Sequence, residues 1–159
     1  MQRGVLLVTA FVCFSSSCSG DGKGGTPVLQ LKDKAGTCIN AGPDLGPEVK
    51  KIPTVDCSVP HTHEIYAVIP YFEKTPTGGK KFTDVFPGLE ALDAFAEREC
   101  IAPFELYVGV SAFDSTLTFS WLTPTLASWN GSGKDRDVIC VLGKFDSSTL
   151  DRSMKDSKE

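Results

Sequence analysis

Apolar residues recur along this chain with two different periods, and the change of period marks out its elements. From His63 to Ile69 (HEIYAVI), Ile65, Ala67 and Ile69 alternate with Tyr66 and Val68. Both sets are apolar, which predicts a strand covered on both faces and central in its sheet. Thr116 to Leu122 (TLTFSWL) alternates more plainly, with Leu117, Phe119 and Trp121 on one side and Thr116, Thr118 and Ser120 on the other. Val138 to Leu142 (VICVL) is a short continuous apolar run and reads as a buried strand carrying Cys140. Lys50 to Cys57 predicts a short strand, and Pro53 within it removes a ladder donor and places it at an edge. Between Leu89 and Ile101 the period lengthens to that of a helix, with Leu89, Leu92, Ala96 and Cys100 on one face. Pro87-Gly88 precede this helix, and Pro103 is expected to stop it. Residues 75–81 (TPTGGKK) and 130–133 (NGSG) are turns or loops. Several strands with one principal helix predict an α+β domain, a small antiparallel sheet with one principal helix, stapled by disulfides.

The two ends of the chain break this pattern. Arg3 is the only charge in residues 1–17, and an apolar run of 11 residues, Gly4 to Phe14, leads to Ser15, Ser16, Ser17 and Cys18. A positive start, a short apolar stretch and small residues before a cleavage point describe an export signal. A membrane-spanning helix needs roughly 20 apolar residues, so the run is too short to be one. Ser-Ser-Ser-Cys resembles the lipobox of bacterial lipoproteins, with Cys18 as the residue that takes the palmitate-bearing lipid. The alternative is ordinary secretion with cleavage among the serines. The organisation expected is a signal peptide over 1–17, a lipid-anchored flexible tether over 18–34, a domain over 35–146 and a polar tail over 147–159. The tail carries Leu150 and Met154 as its only large apolar residues and is expected to fray. The protein is thereby placed at the cell membrane, lipid-anchored through Cys18 on the extracytoplasmic face.

Charge narrows the partners. The chain has 16 Lys+Arg and 20 Asp+Glu, a formal net charge of −4, and removal of the leader with Arg3 makes it −5. No dense basic patch remains, which argues against nucleic-acid binding by phosphate neutralisation. Acidity likewise argues against electrostatic adhesion to anionic lipid, so membrane attachment falls to the lipid on Cys18.

Cys38, Cys57, Cys100 and Cys140 remain in the domain. Four cysteines permit three pairings. The expected pairs are Cys38–Cys57, which closes a short loop, and Cys100–Cys140, which staples the buried face of the helix to a core strand. Structural zinc is poorly supported because no C-x-x-C pair exists. An exported location favours disulfides.

The residues Gly36-Thr37-Cys38, Val55-Asp56-Cys57-Ser58-Val59-Pro60-His61, Glu64-Ile65, Cys100, Tyr107-Val108-Gly109, Pro124, Trp129, Asp135-Arg136 and Cys140 follow one another in a recognisable order. Together they resemble the septum formation domain of actinobacterial envelope proteins, over about 110 residues. In that pattern the segment after the tryptophan reads W-x-x-G-D-R. Here the spacing is longer and Lys134 stands where the glycine precedes the aspartate. The resemblance implies a link to septation or envelope growth. It brings no defined activity and no catalytic residues.

The candidate chemistry is sparse. His61 and His63 share one face of an extended segment, while Glu64 points the other way. A catalytic zinc site needs about three protein ligands, so two histidines leave it incomplete. His61 reads as a structural hydrogen-bonder at the start of the 63–69 strand. Ser111 lacks the second glycine of a nucleophile elbow, and 78–81 (GGKK) lacks the spacing of a phosphate loop. Glu97 and Glu99 read as solvated helix carboxylates. Trp129 and Arg136 are the candidate partner-binding residues, set against the alternative of a structural tryptophan packed under Arg136. The reading is a non-enzymatic extracytoplasmic lipoprotein with no metal or cofactor, binding an envelope protein or cell-wall component. The alternative is a cell-wall hydrolase or metal-dependent enzyme using His61 and nearby carboxylates.

Overall fold

The computed structural model describes residues 26–27, 31, 34–42 and 51–159. The leader and Cys18 lie outside the described residues. The elements in chain order are β1 (Thr26–Pro27), β2 (Thr37–Ile39), β3 (Lys51–Ile52), β4 (Thr54–Val55), β5 (His63–Pro70), β6 (Glu73–Lys74), β7 (Lys80–Lys81), α1 (Leu89–Glu99), α2 (Ile101–Val108), β8 (Leu117–Leu122), α3 (Leu126–Asn130) and β9 (Asp137–Lys144). Five strands form one antiparallel sheet in the order β4-β2-β5-β9-β8. The fold is α+β as expected. Pro53 separates β3 from β4, and β4 takes the sheet edge, where a missing donor costs nothing.

The sheet buries apolar residues on both faces. Toward the helices lie Tyr66, Leu117, Val138, Cys140 and Leu142, which join one core cluster with Phe95 of α1 and Phe104 of α2; on the other face lie Ile39, Ile65, Leu122, Ile139 and Val141. β9 alternates strictly between the two, which is why its sequence is a continuous apolar run. β5 does not alternate. Its register with β9 shifts between Ile65 and Ala67, so Tyr66 and Ala67 both face the helices while Ile65 faces away. This bulge corrects the expectation that Ile65, Ala67 and Ile69 share a face. A bulge inserts one residue and reverses the sidedness of everything beyond it.

Pro103 does not stop the helix. It sits in the first turn of α2, where a missing N–H is tolerated. Its cost appears one turn earlier, because no amide at 103 can bond the Glu99 carbonyl, and the helix bends at Cys100. The Tyr66 hydroxyl donates to the Cys100 carbonyl at 3.0 Å, and the Cys100–Cys140 disulfide fixes the bend to β9. Leu92, Phe95 and Ala96 are buried, whereas Leu89, expected on that face, is half exposed at the helix start.

The domain also extends beyond 35–146. Within the stretch read as a tether, β1 pairs with β3, and Leu31 is 1% exposed against Ile39 and Ile52. The polar tail is packed rather than frayed. Leu150 and Met154 are 0% and 1% exposed and join the helix-side core. A segment with two apolar residues can dock if both find the same cavity and its amides find acceptors. Here they do.

Candidate functional site

Glu64 is the centre of the helix-side polar structure. It lies in β5 opposite Leu142 and is 0% exposed. A buried carboxylate is tolerated only when its oxygens are satisfied. Oε1 accepts from the Tyr107 hydroxyl at 2.5 Å and the Ser153 hydroxyl at 2.6 Å, and Oε2 accepts from the Met154 N–H at 2.7 Å. Tyr107 is aimed by α2, which ends in Gly109 at φ 88, a left-handed cap that glycine adopts without strain. Burial, and then the bond to Glu64, push the Tyr107 hydroxyl well above the ordinary tyrosine value. It therefore stays a donor.

The Cys38–Cys57 disulfide borders this carboxylate. Cys38 pairs with Glu64 across β2 and β5. Among the described residues, Cys38, Cys57 and Glu64 bring potential metal-ligand atoms within 4.8 Å of one another. The sulfurs are bonded to each other, so they offer no thiolate, and the carboxylate is saturated by protein donors. This is a disulfide packed on a carboxylate and not a cation site.

His61 is 0% exposed. Its backbone bridges Leu150 through His61 N–H to Leu150 O at 3.0 Å and Leu150 N–H to His61 O at 2.8 Å. Its Nδ1 lies 2.8 Å from the Val59 carbonyl, which can only accept, so Nδ1 carries the proton. His61 is built into the junction between the strand start and the 147–159 segment.

His63 is half-buried, with Nδ1 2.9 Å from Thr62 Oγ1. Burial, and then neighbouring His61, hold its imidazole below the ordinary value of 6.5. The folded protein thus takes up this proton less readily than the unfolded chain. The stability it contributes is complete above about pH 6.5 and is lost as pH falls through the lower folded value. We expect the thermal midpoint to drop between pH 7 and pH 5, and His63→Gln to flatten that drop. Thermal melts of both proteins across this range check it, and identical profiles would exclude His63 as the cause.

Trp129 lies elsewhere, at the far side of the helix-side core, and is 0% exposed. Thr125 and Ser128 form a reciprocal capping box that starts the short helix α3 and orients its indole. The ring meets Tyr71 and Phe86 edge-on at 5.9 and 5.6 Å between centroids, and the Arg136 guanidinium lies 4.0 Å above it. The indole N–H donates to the Asp84 carbonyl at 2.9 Å. Arg136 donates to the Trp129 carbonyl and faces the Asp84 carboxylate at 3.6 Å. Trp129 presents no surface to a partner, which corrects its candidacy as a contact. It is the structural tryptophan beneath Arg136. What this assembly does is hold the 82–88 loop, whose Phe82 and Val85 are 66% and 75% exposed. Lys134, where the resemblance has glycine, takes a left-handed φ of 43, the backbone that makes glycine favourable there.

Several residues that are distant in sequence therefore meet. Gly36, Cys38, Cys57, Glu64 and Tyr107 form one neighbourhood, with a Cβ at Gly36 falling 3.7 Å from the Tyr107 hydroxyl. The sequence marks Glu64 only as a carboxylate pointing away from the two histidines, and Tyr107 only as part of the family pattern. The available signal was a lone acid inside an otherwise apolar strand.

A family model described as septum formation matches residues 28–146. No curated protein and no solved structure matches the chain.

Proposed function

Because the chain belongs to the septum formation family, we propose that it is a non-enzymatic, extracytoplasmic lipoprotein that acts in septation or envelope growth by binding a protein or wall component. One observation carries this reading. Glu64 is buried with both oxygens taken by the protein's own donors, and His61 is buried with its Nδ1 on the Val59 carbonyl, whereas the Trp129–Arg136 assembly holds out the apolar 82–88 loop. Rigid apolar residues on a pinned loop suit recognition. The two disulfides suit an oxidising compartment.

Two measurements test the reading. A photo-crosslinking residue at Val85, in living cells, is expected to capture an envelope component that one at Asp151 does not. Equal or absent capture at Val85 counts against the loop as the binding surface. For the anchor, Cys18→Ala is expected to move the protein from the detergent phase to the aqueous phase on phase partitioning. A variant that stays wholly membrane-bound excludes lipid on Cys18.

A further inference from the structure

The segment 147–159 lies outside the family-matched residues, yet it fills a groove built entirely by them. Its mode of docking is that of a bound peptide. It forms no helix or strand, bridges His61 through Leu150, and inserts Leu150 and Met154 into the core. Ser153 and Met154 donate to Glu64, while the Asp156 and Lys158 amides donate to the carbonyls of Tyr107 and Val108 at 2.8 and 2.9 Å. Those carbonyls belong to the last turn of α2 and have no partner within the helix. The connection is a tight turn through Ser147 at φ 60, next to Phe145, which is almost wholly exposed.

We infer that this groove is an acceptor site for an extended peptide, occupied in cis by 147–159 and open to a partner's segment of the same chemistry. The groove's own atoms define that chemistry. Two carboxylate oxygens and two helix-end carbonyls all accept, so the occupant must bring donors: free backbone N–H groups and a hydroxyl. Two deep sites for Leu150 and Met154 add an apolar side chain three residues before the hydroxyl and another directly after it. The groove also offers two donors, the His61 N–H to the Leu150 carbonyl and the Ser115 hydroxyl to the Glu159 carbonyl, so the occupant must bring carbonyls as well, as a peptide backbone does. The inference rests on the partner-binding reading above, and gives the partner a peptide form.

The test keeps the full chain and both disulfides. A specific protease site is inserted between Asp146 and Ser147, and the folded protein is cut there. A fluorescent peptide of residues 149–159 (TLDRSMKDSKE) is then titrated in. The cut protein is expected to remain folded by circular dichroism and to exchange its own segment for the labelled one. Uncut protein should bind the peptide about a hundredfold more weakly, because the tethered segment competes at an effective concentration in the millimolar range. A peptide with Ser153→Ala and Met154→Ala should bind at least about tenfold more weakly than the parent, having lost one charge-assisted bond and one buried side chain. Unfolding on cleavage, no uptake by folded cut protein, or equal binding of both peptides would each overturn the inference. The assay contains no envelope component, so it can fail while crosslinking at Val85 succeeds, and the reverse.

Discussion

Glu64→Ala is expected to lower folding stability by roughly 3–5 kcal/mol, from three orphaned donors at about 1 kcal/mol or more each plus the vacated volume. The loss should begin locally. Ser153 and Met154 are held to the body by this carboxylate, so the amides of Met154, Asp156 and Lys158 should lose hydrogen-exchange protection before those of β9. Glu64→Gln is the informative companion. Its amide oxygen can turn to the Met154 N–H while its NH2 group donates to the two hydroxyls, which accept as well as donate. Its cost should be about 1–2 kcal/mol, as expected when hydrogen bonds are rearranged and not deleted. Chemical denaturation of the three proteins gives the ranking. Equal stability of wild type and Glu64→Ala would mean that this carboxylate does not hold the segment.

Trp129→Ala should cost about 3–5 kcal/mol, the usual range for deleting a fully buried large aromatic side chain. The substitution removes the ring between Tyr71 and Phe86, the donor to Asp84 and the surface under Arg136. Trp129→Phe keeps part of the packing and loses the indole donor, so about 1–3 kcal/mol is expected. The pair separates support from contact. If Trp129 acts only by holding the loop, crosslinking at Val85 should fall in Trp129→Ala and recover in Trp129→Phe to the extent that loop order returns. Unchanged thermal stability in Trp129→Ala would contradict its burial.

The strands were legible where each obeyed one rule along its length. β8 has one apolar and one mixed face, and β9 is apolar throughout, so their sequences announce them. β5 hides its bulge, because Tyr66 and Ala67 on one face read the same as strict alternation when both faces are apolar. Pro103 was legible as a helix breaker but not as a bend. Only the tertiary support from Tyr66 and Cys140 decides that the chain resumes as α2. Composition misled most at 147–159. Two apolar residues among many charges read as a loose end, since nothing in the segment itself shows that Glu64, Tyr107 and Val108 are waiting with acceptors. The candidate site suffered from the same limit. Trp129 and Arg136 were rightly linked, but burial depends on Tyr71 and Phe86, which are far away in sequence.

β9 enters the sheet between β5 and β8, and this placement bears on how the chain can be made. A chain that emerges from its N-terminal end presents β5 with β2 alone. One long edge of β5 stays without a neighbour until residue 144 is out, and such edges are sticky. The Glu64 carboxylate must stay hydrated until Ser153 and Met154 arrive, because burying it without donors is prohibitive. Completion is thus a single late event. A product truncated anywhere before 153 lacks the two donors, from Ser153 and Met154, that satisfy this carboxylate within the sheet. Such a fragment is held less firmly until donors reach this carboxylate, and proteases that attack open chains would remove it faster. The carboxylate in the middle of the sheet serves as a built-in check that the chain through Met154 has been delivered.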